Sequence, residues 1–184
     1  GGWWAHVLPS QKVSIKTMDG NVYMGVIGSI PPHGMKPEVR SKVMEIKDLY
    51  IDLGVASKKE VEELGICVGD SVIPYTEFMV MNNPDYVCSK AFDDRIGAAV
   101  CVEVMRRLKG ERHPNTLYSV GSVQEEVGLR GARTAAYHVK PDVAIAIDVT
   151  MSYDIPGTDK RDCKLGSGVA LSVMDGSVIG HKGL

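Results

Sequence analysis

The segment Gly121-Ser122-Val123-Gln124-Glu125-Glu126-Val127-Gly128 sets two adjacent carboxylates where the apolar run 117–123 meets a glycine. On an extended backbone neighbouring side chains point to opposite faces, so Glu125 and Glu126 share one site only if the chain turns there, and Gly128 permits that turn. A second acidic pair, Asp93-Asp94, stands just before a helical stretch, and Asp148 follows the apolar run 143–147. Acids at the ends of successive elements point to one place in an open α/β sheet, the crevice outside the carboxyl ends of the strands. Five carboxylates gathered there would repel one another and lose their hydration unless neutralised. Divalent cations are one neutraliser. The other is the set of nearby cationic side chains, Lys90, Arg95 and Arg130, making ordinary salt bridges at loop tips.

Composition narrows the classes of function. The chain has 184 residues, of which 44% are hydrophobic and 24% charged, enough for one good core or two small ones in an ordinary globular protein. A formal charge of -2 and few aromatic residues argue against nucleic acid as a partner. No apolar run approaches the roughly 20 residues that span a bilayer, which argues against a membrane. The opening Gly1-Gly2-Trp3-Trp4 has neither the regions of a signal peptide nor an initiator methionine, as expected of an internal piece of a longer chain. Cys67, Cys88, Cys101 and Cys163 are widely spaced, without a zinc-finger pattern, and read as reduced thiols of a cytoplasmic protein.

The elements that must position these acids fall into two styles. Residues 13–17 alternate apolar and polar, Met18-Asp19-Gly20-Asn21 signals a hairpin turn, and 22–27 continue as the partner strand. Further short strands are expected at 49–53, 70–74 and 77–81, with a short helix between them that opens on the capping box Ser57-Lys58-Lys59-Glu60 and closes at Gly65. Short strands punctuated by glycine and proline suggest a small barrel or sandwich. Near Tyr86 the pattern changes. Apolar Ile96, Val100, Val104 and Leu108, followed by basic Arg106, Arg107 and Lys109, predict an amphipathic helix over 96–108. A strand is expected at 117–123, a helix at 129–139, and strands at 143–149 and 168–174, the rhythm of an α/β layer with a parallel component. The division is therefore 1–85 as a β-rich domain and 86–184 as part of an α/β domain.

Three stretches in this order resemble the glutamyl aminopeptidase family of dinuclear metallopeptidases, which includes the TET aminopeptidases and proteins labelled endoglucanase M. They are Lys90-Ala-Phe-Asp-Asp-Arg-Ile-Gly97, Val123-Gln-Glu-Glu-Val-Gly-Leu-Arg-Gly-Ala132, and Ala146-Ile-Asp-Val-Thr150 with Asp154-Ile-Pro156. Gly1-Gly-Trp3, Gln11-Lys-Val13 and Gly28-Ser-Ile-Pro-Pro-His33 are similar to that family's inserted β-barrel. The resemblance implies a phosphorylase/hydrolase-like α/β core, a parallel-containing sheet with flanking helices, carrying a small β-barrel over 1–85 that governs substrate access and oligomerisation. It implies that Asp93 bridges two divalent metal ions, zinc or cobalt, and is joined to the supporting Asp94 by a cis peptide. Glu126 would ligate one metal and Asp148 the other, with Glu125 as general base toward the attacking water. The implied activity is removal of N-terminal residues from peptides, by a homo-oligomer that in this family can be dodecameric. Two histidine ligands of the family, one before Gly-Gly-Trp and one near the C-terminus, have no counterpart here. His6, His33, His113, His138 and His181 read as exposed or hydrogen-bonded histidines, with His33, beside two prolines, the first to inspect.

Other classes remain in view. A glycosidase also uses two carboxylates, but they flank the scissile bond at about 5 to 9.5 Å, a separation that neighbours on a tight turn rarely reach. An assembly or binding module with solvated acids, or a related amidohydrolase, would fit the same residues. With imidazole missing from the implied ligand set, the 184 residues alone are expected to hold zinc or cobalt weakly and to show little aminopeptidase activity. Intact mass spectrometry paired with hydrolysis of an aminoacyl chromogenic substrate checks this; robust, chelator-sensitive hydrolysis at 19.9 kDa would overturn it.

Overall fold

The structure, a computed structural model, describes residues 3–159, 161 and 163–183, so Gly1 and Gly2 of the Gly-Gly-Trp resemblance lie outside the described residues. The chain divides into two compact units, Gly1–Ala91 with Ser122–Thr134, and Phe92–Gly121 with Ala135–Leu184.

In the first unit, strands β1 (Lys12–Lys16) and β2 (Val22–Gly28) pair antiparallel with Lys12 opposite Val26 and Lys16 opposite Val22. The expected turn closes them. Thr17 N–H donates to the Asn21 carbonyl at 3.0 Å, and the Thr17 hydroxyl accepts the Asn21 N–H at 3.1 Å. Strand β3 (Tyr50–Asp52) adds to β2, and after a short helix β4 (Ser71–Pro74) adds to β1, giving the order β3-β2-β1-β4. Alternation along β1 turns Val13 and Ile15 inward, where both are buried. Val13, Leu8 and Ile27 form the core, with Trp3, Leu49 and Ile51 packed against it.

The short helix, α1 (Lys58–Glu63), begins where the sequence places it. The Ser57 hydroxyl accepts the Glu60 N–H at 3.2 Å, and Glu60 returns by accepting the Ala56 N–H at 3.1 Å, one residue earlier than a standard capping box. Of the expected strand 77–81 only β5 (Met79–Val80) is laddered, to β6 (Val87–Cys88). All strand ladders among the described residues are antiparallel, and the four-stranded sheet is open. A parallel-containing sheet and a closed barrel are thus not formed by the described residues.

The second unit holds helix α2 (Phe92–Leu108), which contains the expected helix 96–108. Near its end Glu103 bonds Arg106 at 2.6 Å and Arg107 at 2.7 Å, and these guanidinium groups hold the Glu103 carboxyl below the usual glutamate range. Helix α3 (Arg130–Val139) matches the expectation for 129–139 to within one residue at its start.

The expected strands 117–123, 143–149 and 168–174 are corrected by the structure. None is laddered; an antiparallel bridge between Met174 and Ile179 is the nearest approach to one. Their apolar side chains stay open to solvent, with Ile145 80% and Val169 91% exposed. A strand exists only where its N–H and C=O groups find a neighbouring ladder, and no strand among the described residues supplies one to these runs.

Because the core of the first unit is a small cluster, each of its members matters. Ile27→Ala is expected to lower stability by about 2–3 kcal/mol, the lower half of the usual range, since a thin cluster relaxes readily around a cavity. Urea unfolding monitored by Trp3 and Trp4 fluorescence reads this, and a loss below about 0.5 kcal/mol would show that the cluster is not the stabilising core.

Candidate metal centre

In the second unit, Asp93 and Asp94 open α2 at φ/ψ values outside the helical range, -84/111 and -115/54, so regular helix starts just after them. The peptide bond joining the two is cis, as the family resemblance implies. Asp94 is half-buried and its Oδ1 accepts the Gly97 N–H at 2.8 Å, the arrangement of an N-cap residue satisfying the third helical amide. Asp93 is exposed and its carboxylate makes no intramolecular hydrogen bond among the described residues. Asp148, also exposed, accepts the N–H of Val149 at 2.7 Å and ends an extended run where a strand was expected.

In the first unit, the backbone does turn at the glutamates. Gly128 has φ +115°, and Gln124 and Leu129 also take left-handed values near +57°. Gly128 and Leu129 donate to the Glu125 carbonyl at 3.0 and 2.9 Å, Arg130 to the Gln124 carbonyl at 3.2 Å, and Gly131 to the Val123 carbonyl at 2.9 Å. Both glutamate side chains are exposed on this closed loop.

The salt-bridge alternative can be judged unit by unit. Arg95 pairs with neither Asp93 nor Asp94, and Lys90 and Arg130 pair with neither glutamate. The described ion pairs lie elsewhere, at Lys47–Glu45, Lys58–Glu62, Lys59–Glu63 and the two on Glu103. Among the described residues Asp93, Glu125 and Glu126 thus have no ion-pair partner within their own units, and hard oxygen donors of this kind suit divalent metals. Neither unit alone carries the implied set, since Asp93 and Asp148 belong to one and Glu126 to the other. Among the described residues no three His, Cys, Asp or Glu side chains are gathered as a metal-holding group.

The histidines are engaged or exposed. His33 sits exposed in a single helical turn, Pro32–Gly34. His113 Nδ1 lies 2.7 Å from the Asn115 carbonyl, His181 Nδ1 accepts the Gly183 N–H at 3.1 Å, and the His6 ring packs 4.4 Å from Trp4. All four cysteines are free thiols, and no helix of the described residues is long and apolar enough to cross a membrane. The capping role of Asp94 and the closeness of Gly131 to Val123 escaped the sequence reading. The Asp-x-x-Gly spacing at the helix start was the available signal for the first.

A fold of this kind recurs in known proteins. The aminopeptidase APDkam598 from the archaeon Desulfurococcus kamchatkensis superposes with a TM-score of 0.87 at 43% identity, over 99% of this chain and 50% of that one. A TET aminopeptidase from the marine sediment archaeon Thaumarchaeota archaeon SCGC AB-539-E09 gives 0.81 at 48% identity, over 86% and 45%. The glutamyl aminopeptidase of Lactococcus lactis subsp. cremoris MG1363 is 34% identical over 176 residues, which is 95% of this chain and 49% of that protein. These likenesses define a peptidase-type fold. The model of the M42 glutamyl aminopeptidase family matches residues 1–184, and the chain belongs to that family. It spans about half the length of the relatives it matches.

The cap geometry has a direct test. Asp94→Ala is expected to destabilise the folded chain by about 1 kcal/mol, whereas Asp94→Asn, which keeps an acceptor for Gly97 N–H, changes it by less than about 0.5 kcal/mol. Denaturant unfolding of the three proteins compares them, and equal losses for Ala and Asn would show that the cap does not carry the stability.

Proposed function

We propose that this chain carries the carboxylate part of the active site of a metal-dependent aminopeptidase, which removes N-terminal residues from peptides. The reading is carried by one observation, the closed turn that presents Glu125 and Glu126 exposed and, among the described residues, free of ion pairs within a family of aminopeptidases. Asp93, Glu126 and Asp148 would hold two divalent cations, zinc or cobalt, with Asp93 shared between them and Asp94 supporting it. When bound, such a pair polarises the peptide carbonyl and lowers the pKa of water toward neutrality. Glu125, left without a metal, accepts the proton of the attacking water and hands it to the leaving amine, which departs neutral. Asp94 contributes by fixing the start of α2 and so the backbone from which Asp93 projects.

Residues 1–85 would serve as an inserted β-barrel governing access and assembly, and 86–184 as part of the catalytic α/β layer with its parallel-containing sheet. The working form would be a cytoplasmic homo-oligomer, a dodecamer where it follows the family resemblance, acting on peptides and not on nucleic acid or membranes. The similarity to a TET aminopeptidase supports assembly, and the free thiols support a reducing compartment.

The test uses the complete protein with an aminoacyl chromogenic substrate. Hydrolysis is expected to vanish with chelator and return with zinc or cobalt. Glu125→Gln is expected to lower kcat by about 100-fold or more while metal content by mass spectrometry stays unchanged, because an amide holds the place but accepts no proton. Chelator-resistant hydrolysis, or full activity in Glu125→Gln, overturns the assignment.

A further inference from the structure

Gly131 is the second residue of α3, a position where helix propensity alone favours alanine. Its N–H bonds the Val123 carbonyl at 2.9 Å, so the helix begins against the backbone that leads into the acidic turn. A Cβ at this position would lie 2.5 Å from Val123 N, closer still to Val123 O, and 3.1 Å from Val123 C. All three are backbone atoms, which cannot swing aside as the end of a flexible side chain can. The carbonyls of Val123, Gln124 and Glu125 are each taken by an amide between Gly128 and Gly131, so the turn is closed by nested bonds of which the one to Gly131 is the outermost. Opening that bond releases the backbone on which both glutamates ride.

We propose that Gly131 is a positioning residue for Glu125 and Glu126: its missing Cβ lets α3 start in contact with Val123, and this closure sets the directions of the two carboxylates. The inference rests on the reading of Glu125 as proton acceptor and Glu126 as metal ligand. It assigns to a glycine outside the acidic pair the geometry that this chemistry needs. Gly121 supplies the contrast, because a Cβ there meets nothing within 4 Å.

The experiment compares Gly131→Ala, Gly121→Ala and wild type in the complete protein by kinetics, by the visible spectrum of the cobalt-loaded form, and by amide hydrogen exchange. Gly131→Ala is expected to lose about 100-fold in kcat, the scale of an ångström-level misplacement. KM is expected to stay within about threefold, because the loss falls on the reacting state and not on substrate binding. Its cobalt spectrum is expected to change through Glu126, and the amides at 130 and 131 are expected to exchange slowly in wild type and fast in the variant. Gly121→Ala is expected to match wild type throughout. A Gly131→Ala enzyme with wild-type kcat, spectrum and exchange overturns the proposal. If wild type itself shows no metal-dependent aminopeptidase activity, the functional reading fails instead, and exchange alone judges the closure. If Gly131→Ala does not fold, wild type decides: fast exchange at Arg130 and Gly131 overturns the closure, and slow exchange upholds it.

Discussion

An extended backbone turns successive side chains to opposite faces, and this alternation is the constraint from which the acidic turn follows. Two neighbouring glutamates that serve one site require a backbone that leaves the extended form around them. Here it leaves through three left-handed residues, Gln124, Gly128 and Leu129, and only one of them is glycine. Left-handed values at Gln124 and Leu129 are uncommon for side chains of their size. They are held by the nested hydrogen bonds that bring Arg130 and Gly131 back to Gln124 and Val123. The turn is thus a small closed structure in its own right, with α3 growing out of it.

Charge is arranged with the same economy. Cations near the acidic pairs in sequence, Lys90, Arg95 and Arg130, do not pair with them within either unit. The ion pairs that do form lie on exposed helical surface or loops, where solvent and salt screen them and their contribution to stability is small. Leaving Asp93, Glu125 and Glu126 unneutralised is tolerable while they face water. Carboxylates gathered in one place would repel one another, and a divalent cation relieves that repulsion. Asp94 follows another logic. Its Oδ1 accepts the Gly97 amide, so of the adjacent aspartates one caps the helix while the other makes no such bond.

What the sequence disclosed follows the range of the interactions involved. The hairpin at Met18-Asp19-Gly20-Asn21, the alternation of Val13 and Ile15, and the Ser57 cap are set by residues within a few positions, and each was legible to within a residue or two. The turn at Gly128 was legible for the same reason. Runs 117–123, 143–149 and 168–174 have the composition of strands, but strand identity resides in a partner, and composition names no partner. Barrel closure likewise depends on which edges meet, and the described sheet ends at β3 and β4. Gly131 escaped notice because a glycine at a helix start reads as a weak helix former until the approach of Val123 is seen.

The site residues therefore rest on foundations of different reach. Glu125 and Glu126 are placed by hydrogen bonds that close between Val123 and Gly131, and Asp94 by a bond to the residue three places on, so these positions are determined by short segments. Asp148 has no such local anchor. It ends a run in which Ile145 is 80% exposed and no backbone ladder forms, and its only described bond is to the adjoining Val149 amide. Nothing within its own unit among the described residues fixes its direction beyond that bond. The acids of the turn and of the α2 start are thus fixed by short-range bonds, and Asp148 is not.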